Sequence, residues 1–271
     1  MKPRPTEVLP EKRWVGRSFG AAAARYDGVA ALQRSVGTAL LSRLSQDGPP
    51  PAVILDAGAG TGHFSIRLKQ RHPQACVIAL DLSEGMLRTA QRRFGNSAGG
   101  LCLGGDAETL PLANGSVDLV FSNLTLQWCH SLAAAFGEFR RILRPGRHLC
   151  FSTFGPATLV ELRHAWAAVD GYCHVNDFPG AAALTSALAT AGFAEVSLTS
   201  DTRRIEYPDV IALMRELKAL GAHNVTAGRR RHLTGKDALR KMMEAYPRAE
   251  SGWVGASFEA LCVSARAGLD R

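Results

Sequence analysis

The 271-residue chain has no run of apolar residues approaching the roughly twenty that a helix needs to cross a bilayer, so no membrane-spanning helix and no membrane partner is expected. Its opening, MKPRPTEVLPEKRW, contains no apolar stretch of the secretory kind, which points to a cytoplasmic location. Six cysteines, at 76, 102, 129, 150, 173 and 262, include no Cys-x-x-Cys pair, and several sit in apolar runs such as ACVIAL. That spacing argues against a zinc site or a disulfide frame and for reduced, buried thiols, so no metal is expected. Acid is the scarcer charge: 24 Asp and Glu stand against 32 Lys and Arg, a net +8. The basic excess is uneven, with six Lys or Arg against one Asp in residues 229–241. Nucleic acid, an anionic surface, an acidic protein or a merely solvated face would each fit it.

What the chain does have is apolar residues (46%) in a regular rhythm. Residues 14–44 repeat at helical spacing, and DGPPPA at 47–52 breaks them. Strand-like runs follow: AVILDA, ACVIALD, GLCLGG, VDLVFSN and RHLCFSTF. Helix-like runs alternate with them, the last closed by the Pro-Gly turn in LRPGR. Strand and helix in alternation predict an α/β fold with a doubly wound, mostly parallel sheet. Two later strands, AEVSLTSDTRRIEY and ASFEALCVSARA, make the expected sheet seven-stranded. The expected organisation is one domain over 1–271. It comprises an N-terminal helical lid (1–47), a ligand-binding core (50–154) and substrate-side elements (155–271), with a cap insertion near 203–250.

In VILDAGAGTGHF the first strand ends at Asp56 and glycines fall at 58, 60 and 62. Bare backbone permits a sharp turn and lets a ligand approach where a Cβ would collide. A dinucleotide fingerprint would need glycine at position 63, where His63 stands. S-adenosylmethionine is the other candidate: it has no phosphate and carries a cationic sulfonium, which favours carboxylates such as Asp56. Asp81 ends the second strand and can accept both ribose hydroxyls. Asp106 follows the third, placed with Ala107 to meet an adenine amino group.

This set resembles the class I methyltransferases, with LDAGAGTG as their glycine loop, ALDLS as their ribose acid and GDAETLPL as their adenine contact. The resemblance implies a Rossmann-like fold and S-adenosyl-L-methionine as cofactor, with S-adenosyl-L-homocysteine as product. It implies cofactor contacts at Asp56, Gly58, Gly60, Gly62, Asp81, Leu82, Asp106, Ala107 and Asn123. Strand four ends in Ser122-Asn123 followed by LTLQWCH, without the Pro-Pro-aromatic run of amino-methylating nucleic-acid enzymes. No nucleic-acid partner is therefore expected.

AAARYD, SNLTLQWC, FSTFGPATLVEL and LKALGAHN together resemble the malonyl-acyl-carrier-protein O-methyltransferases of biotin synthesis, the BioC type. The family's reaction esterifies the free carboxylate of a malonyl thioester, and its partner is an acidic carrier protein. The resemblance places Tyr26 in a lid over the donor and Gln127 and Trp128 facing the donor methyl. Thr153 and Phe154 are candidates for an acyl channel, and Arg25, Arg163 and Arg215 for the malonyl carboxylate. A docking face is expected at Arg215, Lys218, Arg229, Arg230 and Arg231. The alternatives are a methyltransferase for another small acid or a quinone precursor, and a nucleic-acid-binding protein on the same fold.

Overall fold

The computed structural model describes residues 12–45, 48–95, 99–222 and 235–269. Two helices precede the sheet, α1 (Lys12–Val29) and α2 (Ala31–Ser42). The core then alternates β1 (Val53–Ala57), α3 (His63–Arg71), β2 (Cys76–Asp81), α4 (Glu84–Phe94), β3 (Gly100–Gly104), β4 (Val117–Asn123), α5 (Leu132–Ile142) and β5 (Leu143–Phe154). It continues with α6 (Val160–Ala167), α7 (Ala181–Thr190), β6 (Phe193–Tyr207), α8 (Val210–Ala219), α9 (Lys236–Ala245) and β7 (Val254–Ala267).

The seven strands form one sheet in the order β3-β2-β1-β4-β5-β7-β6. All neighbouring pairs from β3 to β5 are parallel, and β7 runs antiparallel to both β5 and β6. This is the expected doubly wound α/β sheet. Successive strand residues enter different cores: Ile54, Val77 and Phe121 pack into one face, Leu55, Ile78 and Val120 into the other. Burial on both faces is why these strands read as continuous apolar runs.

The chain builds outward from β1 to β3, then crosses back to β4. Strand order reverses between β1 and β4, and open α/β sheets bind ligands beyond the strand ends at such a point. The glycine loop after β1 and the Asn123–Thr125 segment after β4 meet there. Helix α1 lies across this end through glycines: a Cβ on Gly16 would come within 3.2 Å of the Leu82 carbonyl, and one on Gly85 within 2.9 Å of Gly20.

Two expectations change. LRPGR is not only a helix-ending turn. Strand β5 begins at Leu143 and carries Pro145 and Gly146 (φ +73°) through a register shift against β4. A bulge accommodates a proline that a regular ladder would reject. The cap segment starts later than residue 203, because Arg203 to Tyr207 pair with β7 as far as Val254. Among the described residues no helix is long and apolar enough to cross a membrane.

Candidate active site

The cavity at the strand-order reversal is open to solvent and spans about 700 Å³, its mouth included. Its floor is the glycine loop. Gly58 (φ +75°) and Gly60 (φ +55°) line it in left-handed backbone. A Cβ on Gly58 would strike Thr125 Oγ1 at 2.1 Å, whereas one on Gly60 would meet no atom within 4 Å and would project into free space. The loop is fixed from behind, since the Gly58 and Ala59 amides donate to the Leu80 carbonyl at 2.8 and 2.9 Å.

Asp81 ends β2 at the cavity wall. Its carboxylate accepts the Gly60 amide at 2.9 Å and the Ser83 amide at 2.8 Å, with lone pairs remaining for a ligand. Burial raises its pKa, and the two amide donors pull against that rise. Asp106 lines the cavity at the tip of β3 and accepts the Glu108 amide at 3.0 Å. Lys12, at the start of α1, forms an ion pair with both Asp106 and Glu108. Leu82, Met86, Ala107 and Cys129 supply apolar wall between the two acids. Burial pushes the Cys129 thiol up to about 12, so it stays neutral. The described lining holds two carboxylates and no Lys, Arg or His, which suits a cationic, hydroxyl-bearing ligand and disfavours a pyrophosphate.

Asp56 and Gly62 stand elsewhere. Asp56 is only 2% exposed, lies outside the cavity lining, and accepts the Ser65 hydroxyl at 2.6 Å. Burial pushes its pKa up to about 7; the Ser65 bond opposes this and Asp81 adds to it. A ligand contact through its side chain is therefore corrected to a brace between β1 and α3. Gly62 (φ +77°) is needed for packing, because a Cβ there would lie 2.8 Å from the Ala90 side chain on α4.

Helix α1 roofs the cavity with Val15, Gly16, Phe19 and Tyr26. Burial, then the nearby Asp81 and Asp27, raise the Tyr26 phenol well above its ordinary range, so it remains a hydrogen-bond donor. Asp27, absent from the expected site, ties this roof down. It accepts the Thr61 hydroxyl of the glycine loop at 2.8 Å and pairs with Arg93 of α4. Nothing local in ARYD shows that Asp27 reaches across to Thr61 and Arg93.

Asn123 lines the cavity and is held from both ends of its amide. Its amide nitrogen donates to the Gln33 carbonyl at 3.0 Å, and its oxygen accepts from Ser152 at 2.8 Å. Leu124 follows with φ +50°, an unusual backbone for leucine, held by its amide bond to Ser152.

A second cavity of about 1210 Å³ lies beyond Trp128, which is the single residue lining both among those described. The Trp128 ring meets Phe19 edge-on at 5.3 Å. Gln127 lines this second space and not the donor side, so its expected position is corrected. Its amide donates to the Leu124 carbonyl at 2.7 Å, which turns the side chain away. Phe154 lines the second cavity and packs on Phe178 at 5.7 Å, whereas Thr153 is buried beneath it. Of the arginines offered for the malonyl carboxylate, none lines either cavity. Arg163 pairs with Asp177 at 3.6 Å, and Arg25 and Arg215 border a surface groove with Lys218. Arg229, Arg230 and Arg231, and the end of LKALGAHN, lie outside the described residues. Among the described residues no cluster suited to a metal ion occurs.

Residues 55–151 match the family described as Methyltransferase domain. Over 260 residues the chain is 55% identical to a malonyl-[acyl-carrier protein] O-methyltransferase of Methylococcus capsulatus, covering 95% of this chain and 94% of that one. The chain belongs to the malonyl-[acyl-carrier protein] O-methyltransferases. Within that family's wider reach, it is 44% identical to the biotin biosynthesis bifunctional protein BioHC of Cellvibrio japonicus, covering 89% of this chain and 47% of that one. The YcgJ protein of Bacillus subtilis superposes with a TM-score of 0.63 at 13% identity, covering 88% of this chain and 99% of that one, a likeness of fold.

Proposed function

We propose that the first cavity holds S-adenosylmethionine and that the chain methylates the free carboxylate of a malonyl thioester on acyl carrier protein, a step of biotin synthesis. The 55% identity over nearly the whole chain to a protein of that name carries this reading. The lining supports the donor independently, through two carboxylates, no cation among its described residues, and bare backbone at Gly60. Bound there, the donor supplies a sulfonium methyl that passes to the carboxylate as S-adenosylhomocysteine is released.

The residues then take these parts. Asp81 accepts the ribose hydroxyls with the lone pairs that Gly60 and Ser83 leave open. Asp106 and Ala107 take the adenine amino group, with Leu82 and Met86 against the base. Gly58, tied to the Leu80 carbonyl, holds the loop open, while Gly62 packs against Ala90 and Asp56 binds Ser65 behind it. Asn123 fixes the floor after β4. Tyr26, its phenol kept protonated, donates a hydrogen bond to the acceptor carboxylate, and Trp128 forms the wall against which that carboxylate is aligned. A carboxylate is already ionised near pH 7, so no general base is needed. Catalysis then consists of alignment and of keeping water out beneath α1. Arg215 and Lys218, with Arg25 beside them at the surface groove, form the cationic face that steers an acidic carrier.

Mass spectrometry of malonyl-carrier protein after incubation with donor and enzyme tests the reading. A gain of one methyl that an esterase removes is expected. No gain, alongside turnover of a free small acid or a quinone precursor, would overturn the carrier-linked substrate.

A further inference from the structure

The second cavity, the surface groove and the donor cavity are joined by two shared residues. Lys218 of α8 lines both the groove and the second cavity, and Trp128 lines both the second cavity and the donor cavity. The three spaces therefore adjoin in series, from a cationic surface beside Lys218, across about 1210 Å³ of mainly apolar space, to the wall that Trp128 shares with the donor site. We propose that together they form the channel for a linear, amide-bearing thioester arm, entered beside Lys218 and ending at Trp128.

The lining fits such an arm. Leu32, Phe154, Leu162, Trp166, Phe178 and Phe258 give it apolar walls that would receive methylene and methyl groups. Among the described residues of those walls, the side-chain oxygens of Gln33 and Asn176 are buried without a hydrogen-bond partner. Buried acceptors left unpaired are unfavourable, and a ligand that brings amide N–H groups relieves that. A simple diacid or an unadorned acyl chain brings none. The wall itself is rigid. Leu159 is held at φ +53° by its amide bond to the Ser257 carbonyl at 2.7 Å, and Glu161 accepts both the amide and the hydroxyl of Ser257. His174 is fixed by Asp170 at 2.8 Å and stacks on Trp166 at 3.8 Å.

This proposal rests on the malonyl-carrier reading and assigns the route by which that substrate arrives. The test compares two acceptors with the same reacting carboxylate: malonyl-carrier protein, which has the full arm, and the malonyl S-ethyl thioester, which has none. Leu162→Trp fills the middle of the channel and should lower kcat/KM for the carrier substrate by about fiftyfold more than for the S-ethyl thioester. Gln33→Leu removes one unpaired oxygen with little change of shape, and should lower the same ratio by about fivefold. Binding of S-adenosylhomocysteine by each variant reports whether the donor side is intact. Should Leu162→Trp fail to fold, Gln33→Leu and Asn176→Leu carry the comparison. Equal losses for the two acceptors, or no loss for either, would overturn the channel. Failure of the wild-type protein to methylate either thioester would overturn the functional reading, and the channel with it.

Discussion

The donor cavity and the second cavity lie on either side of Trp128 and are built by different means. The donor cavity is made of strand tips and backbone: Gly58, Gly60, Asp81, Asp106 and Asn123 all stand at or just past the ends of parallel strands. Sheet register fixes where those residues are, so their positions in sequence foretell their positions in space. The second cavity is assembled from side chains on α2, α6, α8, β5, β7 and the 174–178 segment, which are distant in sequence. Its residue types are those of any core. One site is thus specified by backbone geometry and the other by packing.

The comparison can be broken most sharply at Gly60. Gly60→Val places a branched side chain at φ +55° in the space a donor would use. Affinity for S-adenosylhomocysteine, read by calorimetry, should fall by about a hundredfold or more. Circular dichroism should show the fold retained, because no protein atom lies within 4 Å of the added Cβ and the backbone strain is confined to one turn of the loop, at a cost of about 1–3 kcal/mol. On the other side of Trp128, Arg215→Glu with Lys218→Glu should raise KM for malonyl-carrier protein by about tenfold more than for malonyl-coenzyme A, with the gap shrinking at high salt. Equal effects on both would remove the docking face.

Tyr26→Phe acts in the roof of the donor cavity. It deletes one hydroxyl and keeps the ring packed near Phe19, so kcat should fall by about five- to tenfold while donor affinity stays within about twofold. Unchanged turnover would reduce Tyr26 to packing.

The smallest effect concerns Asp56, beneath the donor site. Its folded pKa of about 7 lies above the unfolded value near 4, so the native state binds more protons between those values. Its contribution to stability therefore falls as pH rises from about 4 to about 7. Asp56→Asn, which keeps a partner for Ser65, should flatten that slope. It should leave the variant a few degrees higher in Tm than the wild type at pH 8, and close to it at pH 5. A variant that melts lower at pH 8 would show that Asp56 is needed as a charge.

The alternation of strands and helices was legible because burial on both faces left unbroken apolar runs. The place of Asp81 and Asp106 on the cavity wall was legible too, because both stand at or just past the ends of parallel strands beside the crevice. Asp56 was misread for the same reason in reverse. It sits one residue before the end of β1, where the strand's alternation turns it toward Ser65 of α3. Pro145-Gly146 read as a turn because those residues make turns, and only the pairing with β4 reveals the bulge. Asp27 was invisible because its partners, Thr61 and Arg93, are 34 and 66 residues away. Gln127 is expected on the donor side but lines only the second cavity, whereas its neighbour Trp128 lines both, and no residue type in that turn says which cavity each reaches.

Calorimetric titration of the purified protein with S-adenosylhomocysteine, and separately with a nicotinamide dinucleotide, tests the donor site most directly. Saturable one-to-one heat with the first and none with the second is the expected result. Heat with the dinucleotide and none with S-adenosylhomocysteine would contradict the donor assignment and everything placed on the far side of Trp128.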